Sequence, residues 1–328
     1  VARADVLLVS LGSTAGLRAA DAELAAALGR AGARVAVVAA KPPAQVRTLA
    51  LTDLVWARAA RGAALRGIRA HEPRAIVYST TTAALLWPQP GAIRFDALAA
   101  ATRPGRHGVW QRRREARRLT EASLLIPWSA AALDGAPDAL PGTIAVPVPV
   151  EPSGLGEPWA QRDLAAVTYA ADPGKKGLSQ VLAAWAAVRR EGETLVVAGL
   201  DRSRLPDPPP GVQVAGRLER EAYRALLRRA RVFVCAPRRE DHGIAQLEAL
   251  ADGCVLVTTP APGPYLALPM ARELDARLVS TDLGPALRAA LDDPAPRYQE
   301  RAIPLLSPLT RAAVDRVVEL DLLPLLLG

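Results

Sequence analysis

Cysteine and lysine are nearly missing from this sequence. Only Cys235 and Cys254 occur in 328 residues, each inside an apolar, strand-like run. Thiols in such settings read as reduced and buried, which excludes a disulfide framework. There are 3 His, with no His cluster and no Cys-x-x-Cys pair to hold zinc, so no metal site is expected. Aromatic residues make up 4 % of the chain, and no aromatic-rich strand offers a platform for stacking RNA bases. Nucleic acid is therefore a disfavoured partner. Long apolar runs are missing too: nothing approaches the roughly 18 residues of a membrane span, and the tail Leu320–Leu327 is broken by Asp321 and Pro324. The N-terminal segment lacks a signal-peptide pattern, so the chain is expected in the cytoplasm.

Several chemistries lack their signatures. No Gly-x-Gly-x-x-Gly follows a strand, and there is no phosphate-loop Gly-x-x-x-x-Gly-Lys-Ser/Thr, no Gly-x-Ser-x-Gly elbow and no His-Glu-x-x-His. The strand ending at Ala40 is followed by Lys41 rather than the acidic residue that grips a ribose in NAD sites. Asp-x-Asp is also absent, and with it the usual carboxylate seat for a metal-bound sugar nucleotide.

What is present suffices for a large core: half the residues are apolar and 23 % are charged. The net charge is +8. Arg supplies nearly all of the positive charge, a bias that rises together with Ala, Gly and Pro and is attributed to a GC-rich coding sequence. β-Branched runs alternate with Ala/Leu/Arg helical stretches, the mark of βαβ units, and the fold class is α/β. The first half offers strands at 6–10, 34–39, 75–79, 92–95, 124–127 and 143–146, with helices at 15–31, 45–70 and 109–120. The proline-punctuated stretch 146–154 cannot continue a helix and reads as a linker. A second series follows, with strands at 165–170, 194–198, 212–215, 231–235, 255–258 and 277–279. Its helices lie at 177–190, 219–229, 243–251 and 283–291. Two Rossmann-like domains are expected, 1–148 and 149–305. A C-terminal segment, 306–328, is expected to pack back across the first domain as an amphipathic helix.

Three segments carry chemistry. Leu11-Gly-Ser-Thr-Ala-Gly16 joins the first strand to the first helix, and Gly12 and Gly16 place small residues where backbone N–H groups can meet a phosphate or an acceptor. Its bland alternative is a tight turn capped by Ser13 or Thr14. Ala171-Asp-Pro-Gly-Lys-Lys-Gly177 holds Lys175 and Lys176, two of the three lysines. A lysine is a compact, movable charge suited to a diphosphate, and this loop opens a helix. The third segment, Val232–Thr258, reads strand, loop, helix, glycine stop, strand. Glu240 and Glu248 are separated by seven residues, and Gly243, Ile244 and Ala245 begin the helix with N–H groups available to phosphate.

This last pattern resembles the Glu-x7-Glu motif of GT-B glycosyltransferases, especially the retaining family numbered four. Around it, Tyr169–Leu178 looks like that family's strand-and-Lys-Gly segment, Val196–Leu200 like its next strand, Val212–Leu218 like its base-side loop and Ile144–Glu151 like its linker. Gly12–Gly16 and Ile93-Arg-Phe-Asp96 match more loosely. The resemblance implies a GT-B architecture of two doubly wound domains facing an interdomain cleft, and sugar transfer from a nucleotide-sugar donor, UDP- or GDP-sugar favoured, with retention and without an essential metal or other cofactor. It implies that Glu240 contacts sugar hydroxyls, that Glu248 accepts from the ribose, that Lys176 neutralises the diphosphate and that residues 243–245 donate to it. Arg217 falls in the base-side loop. His242 takes a place where an aromatic or small residue is common; it is either a sugar contact or a solvated loop residue. Asp96 is the candidate acceptor-side base, or else a turn cap. One departure stands out: the family's Arg six residues before the motif Lys falls at Ala170, leaving Lys175 or another Arg to substitute.

The run 103–118 concentrates Arg103, Arg106, His107, Arg112, Arg113, Arg114, Arg117 and Arg118 around Trp110. It reads either as a solvated helix face or as a surface for a phosphorylated acceptor or for peripheral contact with the anionic inner face of a membrane. Two other readings stay open: a catalytically impaired binder of nucleotide-sugars or nucleic acid on this scaffold, which Ala170 favours, and a sugar-nucleotide epimerase. Acceptor and oligomeric state are not legible.

Overall fold

The computed structural model describes residues 3–43, 48–154 and 156–328. The chain divides into two compact units, Val1–Pro149 with Arg311–Gly328, and Val150–Thr310. In the first unit β1 (Val6–Ser10), β2 (Val35–Ala39), β3 (Ala75–Tyr78), β4 (Ala92–Phe95) and β5 (Leu125–Pro127) form a wholly parallel sheet in the order β2-β1-β3-β4-β5. All five residues of β1 are buried, as a near-continuous apolar run requires when both faces of a parallel sheet are covered. Helices α1 (Ala15–Arg30) and α2 (Leu49–His71) start at side-chain caps, Thr14 accepting from the Leu17 N–H and Thr48 from the Leu51 N–H. Two short helices, α3 (Thr81–Ala84) and α4 (Ala99–Thr102), and α5 (Val109–Glu121) complete this part.

The second unit holds β6 (Leu164–Tyr169), β7 (Leu195–Ala198), β8 (Val212–Gly216), β9 (Ala230–Cys235) and β10 (Val255–Thr258), again all parallel, in the order β10-β9-β6-β7-β8. Its helices are α6 (Leu178–Val188), α7 (Arg220–Arg229), α8 (Ile244–Ala251), α9 (Ala267–Asp275), α10 (Leu283–Asp292) and α11 (Tyr298–Leu306). The core joins β6, β7 and β9 to Trp185 of α6 and Leu287 of α10, both fully buried.

The last segment, α12 (Arg311–Val317), a π-helical turn over Val318–Leu322 and α13 (Leu323–Leu327), belongs to the first unit. Val314, Val318 and Leu322 share a buried cluster with Leu24 and Leu28 of α1 and with Val6 and Leu8 of β1. Two ion pairs fix the docking, Arg311 to Glu23 and Arg30 to Asp315, each at 2.7 Å.

Several elements differ from the sequence expectation. Residues 143–146 form no regular strand: Thr143 bridges Leu125, and the Ile144 and Val146 N–H groups donate to the Leu125 and Pro127 carbonyls, so the segment runs beside β5 until Pro147, which has no N–H to donate. Residues 277–279 end a 3-10 turn and touch the sheet through one bridge, Thr258 to Val279. The expected helix at 45–70 starts at Leu49; positions 45–47 lie outside the described residues. Gly177 and Gly243 precede their helices instead of opening them, both in the left-handed conformation at φ 64° and 89°. Helices α3, α4, α9 and α11 were not expected: the first two are four residues long, and α9 carries Pro269 in its first turn, where a missing N–H does no harm.

The arginine run is not a free basic face. Arg103 pairs with Asp53 at 2.7 Å, Arg112 donates to the carbonyls of Arg103 and Gly105, and Arg114 and Arg118 both donate to the Leu85 carbonyl. Arg118 also lies over the Trp87 ring, and Arg117 pairs with Glu121. Arg114 and Arg118 thereby tie α5 to the Leu85 carbonyl, whereas Arg106, Arg113 and Arg117 stay exposed. Beneath them Glu115 of α5 accepts the Ala99 N–H at 2.6 Å and anchors the start of α4.

Burial pushes the Glu115 carboxyl up to about 7, despite its hydrogen bonds and the nearby Arg103 charge. In the unfolded chain it titrates near 4.5, so between these values the folded state holds a proton that the unfolded state has lost. Stability then falls as pH rises across that window. Glu115→Gln is expected to flatten the fall by about 2–3 kcal/mol, read as a smaller drop in thermal midpoint between pH 4.5 and 7.5 than in the parent protein.

Candidate functional site

In the second sheet the chain leaves β6 toward β7 on one side, while β9 pairs with β6 on the other. The loops following β6 and β9 thus diverge at the carboxyl ends of two adjacent strands, the place where open α/β sheets form a crevice for ligands. The first of these loops carries Lys175 and Lys176, the second Glu240, His242 and Gly243. Asp172 shapes the first loop, its side chain accepting the Lys175 N–H and its carbonyl the Lys176 N–H. The Arg238 N–H donates to the Lys175 carbonyl at 3.0 Å and joins the two loops. A Cβ on Gly177 would lie 1.9 Å from the Ala236 carbonyl oxygen, so the left-handed glycine permits contact that no other residue allows.

The result is an ion pair. Lys176 Nζ sits 2.6 Å from Glu240 Oε2 across the crevice. Glu240 is buried, as are His242, Gln246 and Glu248. Gly243, at φ 89°, lies against the Tyr265 ring, and Tyr265 is held by a hydroxyl contact to Thr258 at 3.0 Å. From there α8 begins, its first N–H groups at Ile244 and Ala245 lacking intrahelical acceptors. The Leu247 N–H makes the first helical bond, to the Gly243 carbonyl.

Glu248 lies one turn deeper. Arg220 and Arg224, four residues apart on α7, reach it at 3.1 and 3.4 Å. Arg224 also pairs with Asp252 at 2.5 Å and donates to the Glu151 carbonyl, while Asp252 receives the N–H and hydroxyl of Ser153. Burial pushes the Glu248 carboxyl up, only partly opposed by Arg224 and Arg220. The pattern Arg220, Arg224, Arg228 on one helical stripe was the signal for this network, and the sequence reading passed over it. Gln246 and Asp252 were also missed.

The structure therefore brings together Lys176, Glu240, Gly243, Ile244 and Ala245, with Glu248 behind them. His242 is 3 % exposed, which overturns the solvated-loop alternative. Lys175 points to solvent beside Lys176. Arg217, one residue beyond β8, is exposed, and its charge acts on Asp201. Ala170 is fully buried, its N–H donating to the Ala198 carbonyl, so that position supplies no cation. Within the first unit the loop after β1 meets β3 at the corresponding switch, the Leu11 N–H donating to Ser79 Oγ at 3.0 Å. Gly12 has φ 60°, and its carbonyl accepts from Arg18. Gly16 lies in open space within α1, so no close backbone approach demands it there. Asp96 is half-buried in a bend just after β4. Among the described residues no three His, Cys, Asp or Glu side chains converge as a metal-ligand set, and no helix is long and apolar enough to cross a membrane.

Two parallel five-stranded sheets, each doubly wound, define the GT-B class, and solved structures agree. Sucrose-phosphate synthase from Thermosynechococcus elongatus superposes with a TM-score of 0.73 at 16 % identity, covering 95 % of this chain and 96 % of its own. A trehalose 6-phosphate synthase from Burkholderia multivorans gives 0.69 at 13 %, covering 98 % of each chain. The Anabaena protein HepE, solved with UDP and glucose, gives 0.66 at 15 %, covering 97 % of this chain and 98 % of its own. No curated protein matches the chain in sequence. Residues 162–291 match the family model of glycosyl transferases group 1, and the whole chain shares the GT-B fold of these structures.

Asp252→Ala strips the buried Arg224 of its main partner. The expected loss is about 3–5 kcal/mol of stability, measured by denaturant unfolding of the second unit.

Proposed function

We propose that this chain transfers a sugar from a UDP- or GDP-sugar donor to an acceptor hydroxyl with retention of anomeric configuration, and that it does so without an essential metal. The Lys176–Glu240 pair at the sheet's switch point, beside the start of α8, carries the reading. In this reaction the bond from the anomeric carbon to the diphosphate oxygen breaks as the acceptor oxygen bonds to the same face, and the acceptor's hydroxyl proton passes to the departing diphosphate. Negative charge gathers on the departing diphosphate, and preorganised positive charge there lowers the barrier. Lys176 and the N–H groups of Ile244 and Ala245 supply that charge, the role a cation would otherwise fill. When donor enters, the phosphate takes Lys176 from Glu240, and the freed carboxylate accepts from sugar hydroxyls. Glu248, kept close to Arg220 and Arg224, accepts from the ribose. The crystal structure of HepE in complex with UDP and glucose lends support to a uridine donor, since its fold is shared.

Calorimetric titration of the metal-free protein with UDP, GDP and ADP tests the donor. One diphosphate is expected to bind at micromolar level, and Glu248→Ala is expected to weaken it roughly ten- to a hundredfold, the loss of charge-assisted hydrogen bonds of about 1.5–3 kcal/mol. An undiminished affinity would remove Glu248 from the ribose. Lys176→Ala is expected to slow donor turnover well beyond its effect on binding of the sugar-free nucleoside; equal effects on both would count against a leaving-group role.

A further inference from the structure

Gln246 is the third residue of α8 and is 1 % exposed. Its inward neighbours on the helix, Leu247, Ala249 and Leu250, are apolar and pack into the core. A leucine at 246 would suit such a place better than an amide. The amide is only half satisfied: Nε2 donates to Glu240 Oε2 at 3.0 Å and lies 3.6 Å from Cys235 Sγ, whereas Oε1 is buried without a hydrogen bond. A polar group retained at the expense of its own desolvation points to a task outside folding.

Both contacts on Glu240 fall on one oxygen. Oε2 takes Lys176 Nζ at 2.6 Å and Gln246 Nε2 at 3.0 Å, and no described residue bonds Oε1. The two partners differ in mobility. Lys176 is a flexible point charge, a quarter exposed, and a diphosphate can draw it away. Gln246 is walled in, with its Oε1 against Gly243, and has nowhere to go. A carboxylate held by the lysine alone would be released to rotate as soon as the lysine moved.

We propose that Gln246 is a positioning residue that holds Glu240 Oε2 while Lys176 moves to the diphosphate, so that Oε1 is the oxygen presented to the donor sugar. This rests on the reading of Glu240 as the sugar contact. Gln246 touches no substrate itself. It acts through Glu240, and its effect is confined to the sugar half of the donor.

The test compares the parent protein, Gln246→Leu, Gln246→Glu and Glu240→Gln. Each is titrated with UDP, UDP-glucose, GDP and GDP-mannose, and acceptor-free hydrolysis of each conjugate is followed. The quantity of interest is the gain in affinity of a conjugate over its bare diphosphate. Gln246→Leu is expected to keep the diphosphate affinity within about twofold, to lose about tenfold of the sugar's gain or of the hydrolysis rate, the worth of one hydrogen bond to a charged group, and to melt no lower than the parent. Gln246→Glu can donate only when protonated, so its sugar gain is expected to return as pH falls from 8 to 5, a rescue that mere packing would not produce. If Gln246→Leu retains the sugar gain and the hydrolysis rate while Glu240→Gln loses them, the assignment of Gln246 is overturned and the donor reading stands. If Glu240→Gln retains them too, or the parent binds no diphosphate, the donor reading falls and takes this assignment with it. Should Gln246→Leu fail to fold, Gln246→Met is held to the same outcomes.

Discussion

The contact of Gly177 with Ala236 is the constraint on which the second unit's chemistry depends. It locks the loop after β6 onto the end of β9, and that contact requires both a left-handed backbone and the absence of a Cβ. Once the loops are joined, the Arg238 N–H bonding the Lys175 carbonyl sets their register. Lys176 and Glu240, 64 positions apart in the chain, then face each other. A parallel sheet makes such meetings natural, because every strand's carboxyl end lies on the same edge. The charge pair is thus a product of topology before it is a product of side-chain choice.

Charge is used in two ways. Arginine serves structure: Arg94, fully buried in β4, lies 3.7 Å from Asp21 and over Trp128, and desolvation lowers it to about 10. Arg224 binds Asp252 and a carbonyl behind the crevice, and Arg114 and Arg118 of α5 donate to the Leu85 carbonyl. A planar fork with several donors suits such fixed arrangements. Lysine appears where a charge must change partners. In a chain with three lysines, that two stand in one loop at the sheet's switch point is a division of labour between the two cations.

Much of this was readable from one sequence. Long apolar runs such as Val6–Ser10 and Val232–Cys235 announced their strands, and Gly, Pro and Thr marked the turns between. Glu240, Glu248, Lys176 and Gly243 carried their own spacing. What escaped notice was whatever depends on residues distant in the chain. Gln246 looks like any helix residue until Glu240 folds over it, and Arg220 and Arg224 look like a solvated stripe until Glu248 is set beneath them. In the run 103–118, Arg103, Arg114 and Arg118 find acceptors at Asp53 and Leu85, which local pattern cannot reveal. Short helices such as Thr81–Ala84 hold too few residues to show a period.

The return of α12 and α13 to the first unit has a consequence for how the chain is made. The face of α1 and β1 that Val314, Val318 and Leu322 cover belongs to a unit interrupted by the whole of Val150–Thr310. At about 5–20 residues per second, a ribosome needs on the order of ten seconds or more to cross that insertion. For that interval the nascent first unit carries an uncovered apolar stripe of Leu24, Leu28 and their neighbours, exposed to chaperones and to other nascent chains. The second unit is contiguous in sequence and can close its core as soon as it emerges, so it is the later-made unit that finishes first.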